Sequence, residues 1–114
     1  MRLAFRAGGL PEPVVNQVVR DAHGSPLHRP DLCWPQWRVA ADYDGRHHFQ
    51  RDSDEAVRAG RASNWRARQD LGRYEVLEQV GWRLRVFTAF DVFQIPESMV
   101  LRVREALIEA GAPL

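Results

Sequence analysis

Residues 29–48 restrict the possible folds of this chain most, because they combine strand periodicity, a turn and a group of acidic residues. Apolar side chains alternate with other residues over positions 30–34 and again over positions 37–43, which is the pattern of strands with one core face. Pro35 has the φ angle that the first central position of a tight turn requires. The sequence therefore predicts a β-hairpin whose two loop residues are Pro35 and Gln36.

The predicted hairpin groups its acidic residues. A two-residue loop pairs Leu32 with Val39, and directly paired residues project from the same face. Asp31, Asp42 and Asp44 then share one face of the hairpin. In this register Asp31 and Asp42 are diagonal neighbours, roughly 7–8 Å apart at the backbone. The grouping depends on the loop length, since a loop longer by one residue would place the side chains of one strand on the opposite face.

These carboxylates favour a metal site. Aspartate is disfavoured within strands, and three negative charges on one face repel one another. A hard divalent cation, Mg²⁺ or Mn²⁺, compensates for the repulsion because it binds carboxylate and water oxygens. Such an ion polarises a phosphoryl oxygen and makes a bound water nucleophilic. The alternative is a solvated hairpin face on which Asp44 and Gly45 form a simple turn.

Two sets of residues form recognisable motifs. The first comprises Pro30, Asp31, Leu32, Pro35, Asp42, Asp44, Gly45 and His48. The second comprises Asp70, Arg73, Leu77, Gly81 and Trp82. The first motif is similar to the Pro-Asp…(Asp/Glu)-x-Lys signature of restriction-endonuclease-like nucleases, and the two motifs together resemble those of uncharacterised domains related to very-short-patch-repair (Vsr) endonucleases. The resemblance spans about residues 10–110.

The resemblance implies a divalent-metal-dependent DNA endonuclease that hydrolyses phosphodiester bonds. It also implies an α/β fold, with a mixed four-stranded sheet flanked by helices. Asp31, Asp42 and the Tyr43 carbonyl would bind the Mg²⁺ or Mn²⁺ ion. Asp44 and His48 would orient or deprotonate the attacking water.

The basic residues predict contacts to DNA. All sixteen lysine and arginine positions are arginine, the residue suited to bidentate phosphate contacts. By family analogy, Arg73, Arg66 and His47 are expected to hold the nucleic acid. Because the chain lacks lysine, Asp44 stands at the lysine position of the signature. This departure favours an alternative, a catalytically degenerate nuclease fold that binds nucleic acid or a partner protein without cleavage.

The remaining strand patterns complete a predicted sheet. Residues 14–19 predict a strand that pairs with the strand over 27–34, which in turn pairs with the second arm of the hairpin in a three-stranded antiparallel meander. Residues 82–88 alternate again and follow a predicted helix. A crossover therefore places them as a fourth strand, parallel to a neighbour.

Helices are predicted on either side of that fourth strand. One runs from about residue 63 to residue 80 and stops at Gly81. Residues 90–96 are predicted to be a connector, and a last helix begins at Pro96. Its predicted buried stripe comprises Met99, Val100, Val103, Leu107 and Ala110. Residues 1–8 are expected to be the truncated first helix of the fold, either because a longer parent chain has a further N-terminal domain or because the domain is minimal.

Length and composition limit the class of protein. A chain of 114 residues corresponds to one domain, here residues 1–114. One cysteine excludes a disulfide framework and favours a reducing cytoplasm, and no apolar run predicts a membrane span. Cys33 and the four histidines lack the spacing of a zinc finger or ribbon. The net charge of +1 does not by itself indicate a nucleic-acid-binding protein.

Overall fold

The structure, a computed structural model, describes residues 1–45, 72 and 74–114 and has a mixed α/β architecture. Its helices are α1 (Arg2–Ala7), α2 (helical at residues 74–79), α3 (Ala89–Phe93) and α4 (Pro96–Glu109). Its strands are β1 (Val19–Arg20), β2 (Pro26–His28), β3 (Leu32–Trp34), β4 (Val39–Asp44) and β5 (Arg83–Thr88). No helix in this part of the chain is long and apolar enough to cross a bilayer.

β4 is the central strand of a three-stranded sheet in the order β3-β4-β5. It pairs antiparallel with β3 and parallel with β5, as the crossover rule predicts. Val39 and Ala41 face a core that contains α1 and α4. Ala40 faces a second core with Val19 of β1 and Leu77 of α2. The prediction of one core face was therefore wrong, because helices and a second sheet cover this sheet on both sides.

The β3–β4 loop has four residues instead of the predicted two. Trp34 pairs with Val39, and Leu32 pairs with Ala41, so residues 35–38 form the loop. Arg38 closes it with a φ of 52°, and its carbonyl accepts a hydrogen bond of 2.8 Å from the N–H of Arg83. The predicted register was wrong by two residues. Because side chains alternate with a period of two, this even shift keeps the acidic residues on the predicted face.

The predicted meander is replaced by a second sheet. β1 and β2 form a separate antiparallel pair, and the predicted strand over 27–34 is interrupted between His28 and Leu32. From the predicted strand over 14–19, Val14 makes an isolated bridge to Cys33, whereas Asn16 has a φ of 58°. This left-handed conformation turns the chain, and asparagine adopts it more readily than most residues.

The helix boundaries follow local signals. α2 ends at Gly81, whose φ of 83° and hydrogen bond to Glu78 complete the C-terminal motif that the sequence predicts. α4 begins at Pro96 as predicted. The predicted connector over 90–96 was wrong, since α3 occupies residues 89–93. Thr88 and Asp91 cap it reciprocally, with the Thr88 N–H donating to Asp91 Oδ2 at 2.7 Å.

α1 is short but is joined to the core through Phe5. That side chain is fully buried, with its ring centroid 5.5 Å from that of Trp34 and 6.2 Å from that of Phe87. Glu12, the only early acidic residue, hydrogen-bonds to the exposed Arg2, whose Nε lies 3.0 Å from its Oε1. This hydrogen bond lowers the pKa of Glu12.

Cys33 is expected to react slowly with thiol reagents. It is fully buried in β3, and burial raises the pKa of its thiol from 9.0 to about 11. This shift lowers the reactive thiolate fraction at pH 8 about a hundredfold. Ellman's reagent should therefore label the folded chain at least about a hundredfold more slowly than the chain unfolded in guanidinium chloride. Equal rates in the two solvents would contradict the buried position.

Candidate functional site

The acidic residues meet at the end of the central strand. Asp42 and Asp44 lie in β4 on the face that carries Ala40, and Asp31 directly precedes β3. Extending the β3–β4 register by one residue places Asp31 opposite Asp42. Together they border an open pocket of about 350 Å³. Its lining residues are His28, Arg29, Asp31, Asp42, Tyr43, Asp44 and Gly45.

Hydrogen bonds from backbone N–H groups hold the carboxylates of Asp31 and Asp42. The Asp31 N–H donates to Asp42 Oδ1 at 3.0 Å. The Tyr43 N–H donates to Asp31 Oδ2 at 2.7 Å. Each carboxylate is thus tied to the backbone of the opposite chain segment, and Asp31 and Asp42 are close neighbours. Among the described residues, none donates a hydrogen bond to Asp31 Oδ1.

The three acids differ in exposure. Asp42 and Asp44 are each 5% exposed, whereas Asp31 is exposed at the mouth of the pocket. A buried carboxylate requires hydrogen bonds or an opposite charge to offset its lost hydration. Asp31 can therefore meet a ligand from solvent, while Asp42 lies deeper and depends on its neighbours.

His28 is the neighbour that sequence reasoning did not place in the site. Its Nε2 lies 2.6 Å from Asp42 Oδ2, and its side chain is only 18% exposed. The predicted strand over 27–34 hid this contact, because a continuous strand puts His28 and Asp31 on opposite faces. The interruption after β2 brings both to Asp42. No sequence pattern marks the interruption except Pro30, which cannot donate a ladder hydrogen bond.

The other predicted site residues are distributed unevenly. Tyr43 lines the pocket, and its carbonyl remains a predicted ligand. His47, His48, Arg66 and Arg73 lie outside the described residues, so the predicted water-activating and DNA-binding positions are not located. Arg29 lines the pocket and was not predicted. It forms no ion pair with any residue in the described ranges.

The described residues offer few side chains that could bind a metal ion. Within residues 1–45, 72 and 74–114, no three His, Cys, Asp or Glu side chains form a ready group for a metal ion. Asp31 and Asp42 supply two adjacent carboxylates. Mg²⁺ is commonly held by one or two carboxylates and several waters, whereas structural zinc requires four protein ligands. The side chains therefore fit a hydrated Mg²⁺ or Mn²⁺ ion.

Comparison with known proteins finds sequence relatives that are described only as uncharacterised proteins. The chain is 28% identical over 109 residues to two uncharacterised Mycobacterium tuberculosis proteins, MT2308 of strain CDC 1551 and Rv2248 of strain H37Rv. The similarity covers 96% of this chain but 35% of each relative, so the chain spans about a third of their length. No family model matches the chain. No solved structure gives a significant match.

Proposed function

We propose that this domain is a divalent-metal-dependent DNA endonuclease of the restriction-endonuclease-like class. The observation that carries the proposal is the adjacency of Asp31 and Asp42 at the open end of β4. Carboxylates so placed can hold a cation where an extended ligand has access from solvent. The mixed sheet, with parallel β4 and β5 joined through α2, supports the proposed fold class.

The proposed roles divide the site residues into those that bind the ion and those that activate water. Asp31 and Asp42, with the Tyr43 carbonyl, hold Mg²⁺ or Mn²⁺. An ion held there would supply the polarisation of a phosphoryl oxygen and a lowered pKa for its bound water. Asp44 and His48 orient the attacking water or accept its proton. DNA is the proposed partner because phosphodiester hydrolysis fits these groups and the resembled family.

Arginine supplies the proposed phosphate contacts. Arg29 lines the same pocket as the carboxylates, so its guanidinium would be available to a phosphate group bound there. Arg73, Arg66 and His47 remain proposed contacts to the flanking DNA backbone. A guanidinium stabilises the negative charge that develops on phosphate in the transition state.

Supercoiled plasmid provides the test. Incubation with MgCl₂ or MnCl₂ should produce nicked circles, and EDTA should prevent their formation because the carboxylates then hold no ion. The spontaneous reaction is slow enough that weak cleavage is measurable on a gel. A mismatched duplex serves as a second substrate. Equal nicking with and without EDTA would rule out the proposed mechanism.

A second candidate function is a non-cutting module that binds nucleic acid or a partner protein. The engagement of Asp42 by His28 favours it, since an imidazole on a carboxylate reduces that group's need for a metal ion. The lack of lysine favours it as well. This candidate predicts DNA affinity that falls with salt, without Mn²⁺ binding at millimolar concentration in calorimetry. Metal binding together with nicking would exclude it.

A further inference from the structure

One side of α4 carries apolar side chains that lie outside the core. By helical periodicity a single stripe of this helix, which we call the α4 flank, comprises Glu97, Val100, Leu101, Arg104 and Ile108. Leu101 is 56% exposed and Ile108 is 47% exposed, and neither belongs to a hydrophobic cluster of the described residues. The buried residues of α4 lie on another side of the helix, toward the sheet. The α4 flank is therefore free to meet a partner.

An apolar groove between α1 and α4 adjoins the flank. Its volume is about 390 Å³, and its lining residues are Ala4, Ala7, Gly8, Pro96, Glu97 and Val100. The two helices approach closely at its floor, where a Cβ atom on Gly8 would lie 2.5 Å from Val100 Cγ1. Because Val100 and Glu97 belong both to the groove and to the α4 flank, the two features form one continuous surface. The groove is large enough for a branched apolar side chain such as leucine.

Two charges of opposite sign lie on the α4 flank. Glu97 and Arg104 are exposed, and neither forms an ion pair with a residue in the described ranges. They are separated by about 10 Å along the helix axis, so they do not pair with each other. An antiparallel copy of the same helix reverses their order and brings Glu97 of one copy beside Arg104 of the other. The flank is thus complementary in charge to a second copy of itself.

We propose that the α4 flank is a two-fold symmetric interface between two copies of this chain. The two α4 helices pack antiparallel, with Leu101 against the partner's Val100, so that each Leu101 enters the groove of the other copy. In the same register Glu97 meets the partner's Arg104, and the contact occurs twice. A two-fold interface of this kind uses the same patch on both copies. Ridges of side chains on one helix fit the grooves of the other.

The proposed dimer leaves the acidic pocket accessible. α4 packs on the sheet face that carries Val39 and Ala41, whereas Asp42 lies on the face that carries Ala40. The interface and the pocket are therefore on opposite faces, and the inference does not depend on the proposed function. One helix pair buries less surface than a standard interface, so we expect a dissociation constant in the micromolar range.

Charge reversal tests the register. Sedimentation equilibrium from micromolar to submillimolar concentrations should show a monomer–dimer equilibrium for the unsubstituted chain. Glu97→Arg and Arg104→Glu, each alone, should weaken the dimer at least about tenfold, because like charges then face each other twice. An equimolar mixture of these two variants should dimerise again, since each substituted position then faces the opposite charge. The control Glu75→Arg makes the same charge change on α2 and should alter the dissociation constant by less than about a factor of two.

Truncation of Leu101 tests the groove. Leu101→Ala should weaken the dimer about tenfold, because the groove then loses the side chain that fills it. Circular dichroism checks the fold of every variant. Should Glu97→Arg not fold, Leu101→Ala and Arg104→Glu decide the question, since both change exposed positions.

Three results would overturn the proposal. The first is an unsubstituted chain that is monomeric at every concentration. The second is a dimer that Leu101→Ala and both charge reversals leave unchanged, which would place the interface elsewhere. The third is a mixture of folded Glu97→Arg and Arg104→Glu chains that stays monomeric, which would exclude the antiparallel register.

Discussion

Replacement of Asp31 by asparagine is expected to reduce metal-dependent plasmid nicking at least about a hundredfold, since loss of even an indirect partner of a metal ion costs 10- to 100-fold. Asp31 is the exposed acid of the pocket and presents Oδ1 without a hydrogen bond from any described residue. The asparagine side chain has the same shape, and its amide oxygen can still accept from the Tyr43 N–H. The change therefore removes charge while it keeps the local hydrogen bond.

The matched control is Glu105→Gln, which removes one negative charge from an exposed position of α4. That helix covers the other face of the sheet, so nicking should be unaffected. Initial rates with MnCl₂ measure the effect for both variants, and thermal unfolding checks that each is folded. Nicking by folded Asp31→Asn at the rate of the unsubstituted chain would remove Asp31 from the proposed site.

Substitution Phe5→Ala is expected to destabilise the domain by about 3–5 kcal/mol, the range for a buried aromatic side chain. Phe5 is fully buried and packs edge-on against Trp34 of β3 and Phe87 of β5. Its removal leaves a cavity between α1 and the sheet and loses both aromatic contacts. Denaturant unfolding should show the lower free energy of unfolding, and the melting temperature should fall by more than about 10 °C.

Leu3→Ala, in the same helix, is the control for this prediction. Leu3 is 79% exposed, so its truncation should change the free energy of unfolding by less than about 0.5 kcal/mol. Similar losses for the two variants would mean that helix propensity, and not core packing, determines the contribution of α1. A small loss for Phe5→Ala would show that α1 is dispensable to the described core.

Sequence periodicity predicted the elements whose signals are local. Pro96 began α4, Gly81 ended α2, and alternation over 82–88 identified β5. These signals depend on the φ of proline, the freedom of glycine and the burial of one face, which the residues themselves determine. The class α/β followed from the same elements.

The register and the second sheet depended on contacts between distant segments. The loop after Trp34 takes two more residues than its proline predicts, because Arg38 turns back to join Arg83 of β5. Likewise, the left-handed turn at Asn16 and the break after His28 accompany the separation of β1 and β2 from the central sheet. The alternation of apolar and polar residues along a strand specifies which side chains share a face. It does not specify which residues of another segment those side chains contact. This is why Asp31 and Asp42 could be grouped from the sequence, while His28 could not be added.

The pocket lies across a seam between two sheets, since His28 belongs to the β1–β2 pair and Asp42 to the central strand of the other sheet. Neither sheet contains the whole arrangement. A fluctuation that detaches the small sheet would therefore dismantle the pocket while most of the core persists. The pocket can therefore bind a ligand only while the β1–β2 pair is docked on the central sheet. Both can be lost together well below the temperature of global unfolding.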